Sequence, residues 1–156
     1  MFTGIQILEP RIFEYIPRGV FSHSTIDVYP QAIARGERVA AHVADGMWYE
    51  LSTLQRYLDI SLALLKSRGR DVYSGSQSRI DDAATVRDSI LWDDVSIESG
   101  AAISRTVIGD RVVIASGERF ENSVIVHREI VEGTTPPAKA LKGHLTGDKF
   151  VVPLAQ

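Results

Sequence analysis

The chain has 156 residues, and its 17 lysines and arginines against 20 aspartates and glutamates leave a net charge of −3. That balance gives no electrostatic reason to expect a nucleic acid or an anionic membrane as partner, and a content of 44% hydrophobic residues is that of a folded, soluble protein. The absence of cysteine excludes disulfides, thiolate metal sites and cysteine nucleophiles, and it fits a reducing, cytoplasmic setting.

The first third reads as mixed α/β. Phe2 to Leu8 is rich in β-formers and is expected to be a buried strand. The sequence carries no basic leader and no cleavage site there, so the strand begins at once, as it would in a chain truncated at its front. No apolar run approaches the length of a bilayer; Leu62-Ala63-Leu64-Leu65 is typical of the longest. Glu9-Pro10 opens a short helical turn that Pro17 and Gly19 end. Ser24 to Arg35 is expected to be partly helical, broken or restarted at Pro30, with Gly36 as its C-cap. Arg38 to Ala44 and Met47 to Leu51 read as two strands joined at Asp45-Gly46, a two-residue hairpin signal.

Ser52 opens the clearest helix. Ser52 and Gln55 have the spacing of a capping box, and Leu54, Tyr57, Leu58, Leu62 and Leu65 follow on one face. Lys66, Arg68 and Gly69 close the helix. Residues 70–79 are polar and read as a linker, including Ser74-Gly75-Ser76, which has a single glycine and opens no helix.

From Ile80 the pattern changes. Apolar residues lead rungs of 6, 5, 6, 6, 5, 6, 6 and 5 residues, so that one turn takes 17. Val86, Ile103 and Phe120 are in phase, as are Leu91, Ile108 and Ile125, and Ile80, Ile97 and Ile114. Ser89-Ile90, Thr106-Val107 and Ser123-Val124 repeat in the same register. A triangular prism with one short strand per rung satisfies all three sets, with coils stacked about 4.8 Å apart. Neither a helix nor a meander of hairpins keeps three apolar sets in phase at this period. So small a prism buries little and leaves open strand edges, so it is expected to lean on a globular domain or on a copy of itself. Asp93-Asp94, Arg105, Arg111 and Arg119 fall at corners and read as solvated. The tail to Gln156 carries Pro136-Pro137 and ends in a run, Phe150 to Leu154, able to add a strand or dock on a neighbour.

Hexapeptide repeats of this kind resemble the left-handed β-helix family, from which the handedness is taken. An α/β piece, a linker and a short prism together resemble the C-terminal part of sugar-phosphate nucleotidyltransferases, nearest in style to mannose-1-phosphate guanylyltransferases and glucose-1-phosphate thymidylyl- or adenylyltransferases. Three segments carry the resemblance: Phe2-Thr3-Gly4-Ile5-Gln6-Ile7-Leu8-Glu9-Pro10; Asp27-Val28-Tyr29-Pro30 with Ala34-Arg35-Gly36; and Val43 to Thr53 with Arg56-Tyr57-Leu58. It implies an α/β remnant at 1–69, a linker at 70–79, a left-handed β-helix at 80–131 and a tail at 132–156.

The family joins a nucleoside triphosphate to a sugar 1-phosphate and releases pyrophosphate, with Mg2+ shielding the charge. Its glycine-rich nucleotide loop, first metal-binding aspartate and sugar-phosphate lysine have no counterpart among these residues. The resemblance places Thr3 and Gly4 where backbone approaches the sugar, and Glu50 where a second metal-binding aspartate stands. Here Glu50-Leu51-Ser52-Thr53 replaces the usual Asp-Ile-Gly-Thr, which lengthens the carboxylate arm and adds a side chain. The opposing reading makes Glu50 a helix-entry carboxylate favoured by the dipole.

The chain alone is therefore expected to be inactive, with no catalytic residues and no bound Mg2+. Expected partners are a second copy held through the β-helix or a separate N-terminal nucleotidyltransferase half, and neither nucleic acid nor membrane. The alternatives are a non-enzymatic assembly module and the second chain of a split enzyme. Left-handed β-helices also carry acyltransferases and zinc carbonic anhydrases. Only His127 lies near the coils, with His23, His42 and His144 scattered, and no metal-ligand spacing occurs.

Overall fold

The computed structural model describes residues 3–136 and 138–154, which fall into two compact units, residues 1–48 and 49–156. Phe2 and Pro137 lie outside the described residues.

The first unit is helical where prolines and glycines punctuate it. A 3-10 turn spans Pro10–Glu14, and a π-helical turn at Ser24–Val28 runs into α1 (Tyr29–Ala34), with Pro30 in the first turn of α1. Gly36, at φ +85°, ends it: the Glu37 N–H reaches the Ala32 carbonyl at 3.0 Å and the Gly36 N–H reaches that of Ile33 at 2.9 Å. The strands expected here are not formed. Thr3–Leu8, Arg38–Ala44 and Met47–Leu51 contain no strand, and Asp45-Gly46 turns the chain without pairing its flanks. Over the described residues 3–69 the structure has isolated helical turns and one long helix, and the α/β organisation expected for residues 1–69 is not shown. A strand exists only through its ladder, and a lone hairpin is marginal in water, so β-forming residues without a neighbouring strand stay unpaired.

In the second unit, α2 (Leu54–Lys66) is capped by Thr53, whose Oγ1 accepts from the Arg56 N–H at 3.1 Å. The expected Ser52–Gln55 box is displaced by one residue, and the Gln55 amide donates instead to Asp59 at 3.0 Å. Gly69 closes the helix at φ +68°, with the Arg70 N–H on the Leu65 carbonyl at 3.0 Å.

Next comes a β-solenoid of about three turns. Its strands are β1 (Val72–Ser74), β2 (Arg79–Ile80), β3 (Thr85–Arg87), β4 (Ser89–Leu91), β5 (Ser96–Ile97), β6 (Ala102–Ile108), β7 (Val113–Ile114) and β8 (Arg119–His127). Every parallel pairing joins residues 17 apart: Leu91 to Ile108, Ile108 to Ile125, Val86 to Ile103 and Ile97 to Ile114. The 17-residue coils fit a hexapeptide left-handed β-helix. β1 pairs with β4 in the same register, Val72 with Ser89 and Ser74 with Leu91, so the coils reach back into the segment expected to be linker. Gly75 makes that first coil possible, because a Cβ there would stand 2.7 Å from the Trp92 carbonyl.

Two apolar layers hold the unit. Inside the prism, Leu91, Ile97, Ile103, Ile108, Ile114 and Ile125 are almost wholly buried. Outside it, Ile90, Val107 and Val124 form a branched ridge on which α2 lays Leu58, Leu62 and Leu65. Ser89, Thr106 and Ser123 are buried too, and each hydroxyl is satisfied by the carbonyl two residues upstream, at 2.6, 2.8 and 2.8 Å.

The tail does add a strand. β10 (Lys149–Pro153) runs antiparallel to β8, and β9 (His144–Thr146) pairs with β10 across a two-residue loop at Gly147-Asp148. Lys149, with only 7% of its side chain exposed, bonds Glu118 and the Val113 carbonyl, both at 3.2 Å, so the buried charge is paired.

Truncating the innermost stack tests this architecture. Ile108→Ala is expected to cost about 2–5 kcal/mol in urea unfolding, and Val113→Ala, on the outer surface of the neighbouring face, under about 1.5 kcal/mol. Equal losses at the two positions would contradict the inward assignment.

Candidate functional site

Helix α2 and the first three coils flank a groove of about 520 Å³. The helix contributes Tyr57, Ser61 and Leu64, and Arg68 follows just beyond its end; the coils contribute Tyr73, Ile90 and Trp92, with Asp93 and Asp110 also lining it. Each coil presents its residue here because the strand alternates, so the positions on either side of an inward residue point out. Trp92 is fixed by a hydrogen bond from its indole Nε1 to the Tyr57 hydroxyl at 3.2 Å, with the rings edge-to-face at 6.5 Å.

The paired carboxylates at Asp93-Asp94 do corner work. Asp93 Oδ1 accepts from the Ser76 N–H at 2.7 Å, and Asp110 Oδ1 accepts from the Asp93 N–H at 3.0 Å. Each aspartate thus satisfies a backbone donor one coil earlier. Asp94 and Arg111 sit at φ +58° and +61°, left-handed corners 17 residues apart. Arg105, another corner residue at φ +48°, reaches Asp59 of α2 at 2.8 Å. The hydrogen bonds from Gln55 and then from Arg105 hold the Asp59 carboxyl below its ordinary range.

Thr3, Gly4 and Glu50, singled out in the sequence, are not among the residues lining this groove. Thr3 and Gly4 belong to the first unit and are exposed; Thr3 Oγ1 accepts from the Ile5 N–H at 3.4 Å, and nothing lies within 4 Å of the place a Gly4 Cβ would take. Glu50 belongs to the second unit, where its exposed carboxylate pairs with Arg56 at 2.8 Å. Among the described residues no group of three or more histidine, aspartate or glutamate side chains is gathered to hold a metal ion. A magnesium ion takes six ligands, and Glu50 with a guanidinium beside it does not by itself fit that demand. His127 caps the 3-10 turn Arg128–Ile130, accepting from the Glu129 N–H at 3.4 Å.

Sequence reading missed the groove because its aromatic residues lie on separate elements. The signal was present in the 17-residue offset: Asp93 and Asp110 are one coil apart, and Tyr73 stands one coil before Ile90.

The stacked register defines the second unit as a hexapeptide β-helix. Residues 70–134 match a protein-family model described as GlmU-like, C-terminal hexapeptide, which supports a relation to sugar nucleotidyltransferases. No curated protein matches the chain. Among the described residues no helix is long and apolar enough to cross a membrane.

The Arg105–Asp59 bridge joins helix to coil at the surface, so a double-mutant cycle with Asp59→Asn and Arg105→Gln is expected to give no more than about 1 kcal/mol. Because the folded pKa of Asp59 is depressed, its contribution is present above the unfolded pKa and is lost as pH falls through the folded value. The urea midpoints of the wild type and Asp59→Asn should therefore converge as the medium is acidified.

Proposed function

We propose that the chain is the C-terminal part of a sugar-phosphate nucleotidyltransferase and that its β-helix serves contacts and assembly rather than bond-making. The match over residues 70–134 carries this reading, together with a helix laid along the outer ridge of that same β-helix. In such an enzyme, the α/β half before the β-helix joins nucleotide to sugar phosphate with Mg2+. Thr3 and Gly4 would stand at the sugar, and Glu50 would serve as a metal ligand only where the remaining ligands come from other residues. These three assignments rest on the resemblance.

The 156 residues hold no glycine-rich phosphate loop, and transfer of this kind depends on positioning and charge stabilisation of the triphosphate. Calorimetry of the chain with GTP, dTTP or ATP plus Mg2+ is expected to show no binding. Micromolar binding accompanied by pyrophosphate release would overturn the reading.

A non-enzymatic assembly module is the second reading, favoured by apolar residues left exposed on the coils, Tyr73 and Val113 on the outer surface and Ile80 at the open end of the inner stack, each about 40% exposed. Light scattering separates the two roles: a defined oligomer dispersed by Val113→Lys supports assembly through the coils, and an oligomer indifferent to that change counts against it.

A further inference from the structure

Arg38-Val39-Ala40-Ala41-His42-Val43-Ala44-Asp45, in the first unit, is exposed at every residue and forms neither helix nor strand. Among the described residues, none of its backbone groups bonds to another backbone group, and neither Arg38 nor Asp45 has an ion-pair partner. Val39 is 43% exposed and Val43 is 89% exposed. A β-forming stretch with a free row of N–H and C=O groups is a template for pairing with another chain.

We propose that two copies of the chain pair antiparallel through residues 38–45 about a twofold axis lying between Ala41 and His42. The charge pattern selects this arrangement. In that register Arg38 stands opposite Asp45 of the partner subunit, and by symmetry the same ion pair forms at the other end. Between them each valine faces an alanine, and Ala41 faces His42. Directly opposed side chains in such a ladder lie about 4.5–5.5 Å apart, within reach of an ion pair. Parallel pairing would set arginine beside arginine and aspartate beside aspartate. An antiparallel slip of one residue would move Arg38 opposite Ala44 or Gly46 and dissolve both ion pairs. One register therefore satisfies the backbone and both charges, and it is isologous, as a closed dimer requires. This contact is separate from any made by the coils and does not depend on the nucleotidyltransferase reading.

Sedimentation equilibrium of the full chain tests it, because the charges can be exchanged. The wild type is expected to show a monomer–dimer equilibrium at concentrations up to about 1 mM, where even a weak Kd is visible. Arg38→Asp and Asp45→Arg each place like charges at both ends and are expected to weaken dimerisation about tenfold or more. An equimolar mixture of the two variants restores both ion pairs and should recover a heterodimer. Both substitutions are at exposed positions, and unchanged melting of the β-helix unit in each variant verifies that it is folded. A wild type that stays monomeric throughout that range overturns the proposal. So does a dimer that both variants retain, which would place self-association on the coils, or a mixture no tighter than either variant alone.

Discussion

The stacking of one aliphatic side chain on another, 17 residues later, is the contact on which the second unit depends. Leu91, Ile108 and Ile125 form such a column, fully shielded from water, and the strands that carry them pair in the same phase. A slip of one residue would turn the column outward and bring small polar corners into the prism. The register therefore also fixes where the chain must bend. Asp88, Arg105 and Asn122 occur at one corner, and Gln77, Asp94 and Arg111 at another, all with positive φ. A left-handed conformation costs a residue with a Cβ about 1–2 kcal/mol, and here the strands on both sides impose it.

Helix α2 draws on the same register from outside. Ile90, Val107 and Val124 are the outward neighbours of the inward column, so their alignment follows from the inner stack. A straight ridge of branched side chains suits the leucine stripe of a 13-residue helix, which is short for independent stability in water. Among the described residues of the first unit there is no comparable ridge: Val28 and Ala32 are the buried apolar residues there, while Ile7, Phe21 and Val43 stand open to solvent.

Legibility followed the range of the interactions. The coils could be read because a period of 17 repeated across three faces and no local alternative matched it. The C-cap glycines Gly36 and Gly69 could be read because a positive φ at a helix end has few solutions. The strand expected over Phe2 to Leu8, absent from its described residues Thr3–Leu8, and the Asp45-Gly46 hairpin failed for the opposite reason: local β preference was present, but a ladder needs a partner that propensity does not supply. The first coil was hidden because Ser74 occupies the phase of Leu91 and Val72 that of Ser89, so its polarity is inverted against the repeat. The tail strand was read only from the run Phe150 to Leu154, a β preference as local as those that failed. It succeeded because β8 was there to receive it. The groove demanded knowledge of which coil faces the helix, and residue spacing alone does not contain that.

The reversal of direction at β10 has a consequence for growth. A solenoid is by nature a polymer of coils, and its last rung is a seed on which another parallel rung can settle. By laying an antiparallel strand across β8 and clamping its start with the buried ammonium of Lys149, this chain replaces the seed with a terminus of opposite polarity. Beyond it lies β9, three residues long and exposed throughout, too brief a platform for a new coil. Head-to-tail extension is thereby blocked along β8 at that end, while the edges of β1 and β2 at the first coil carry no such strand.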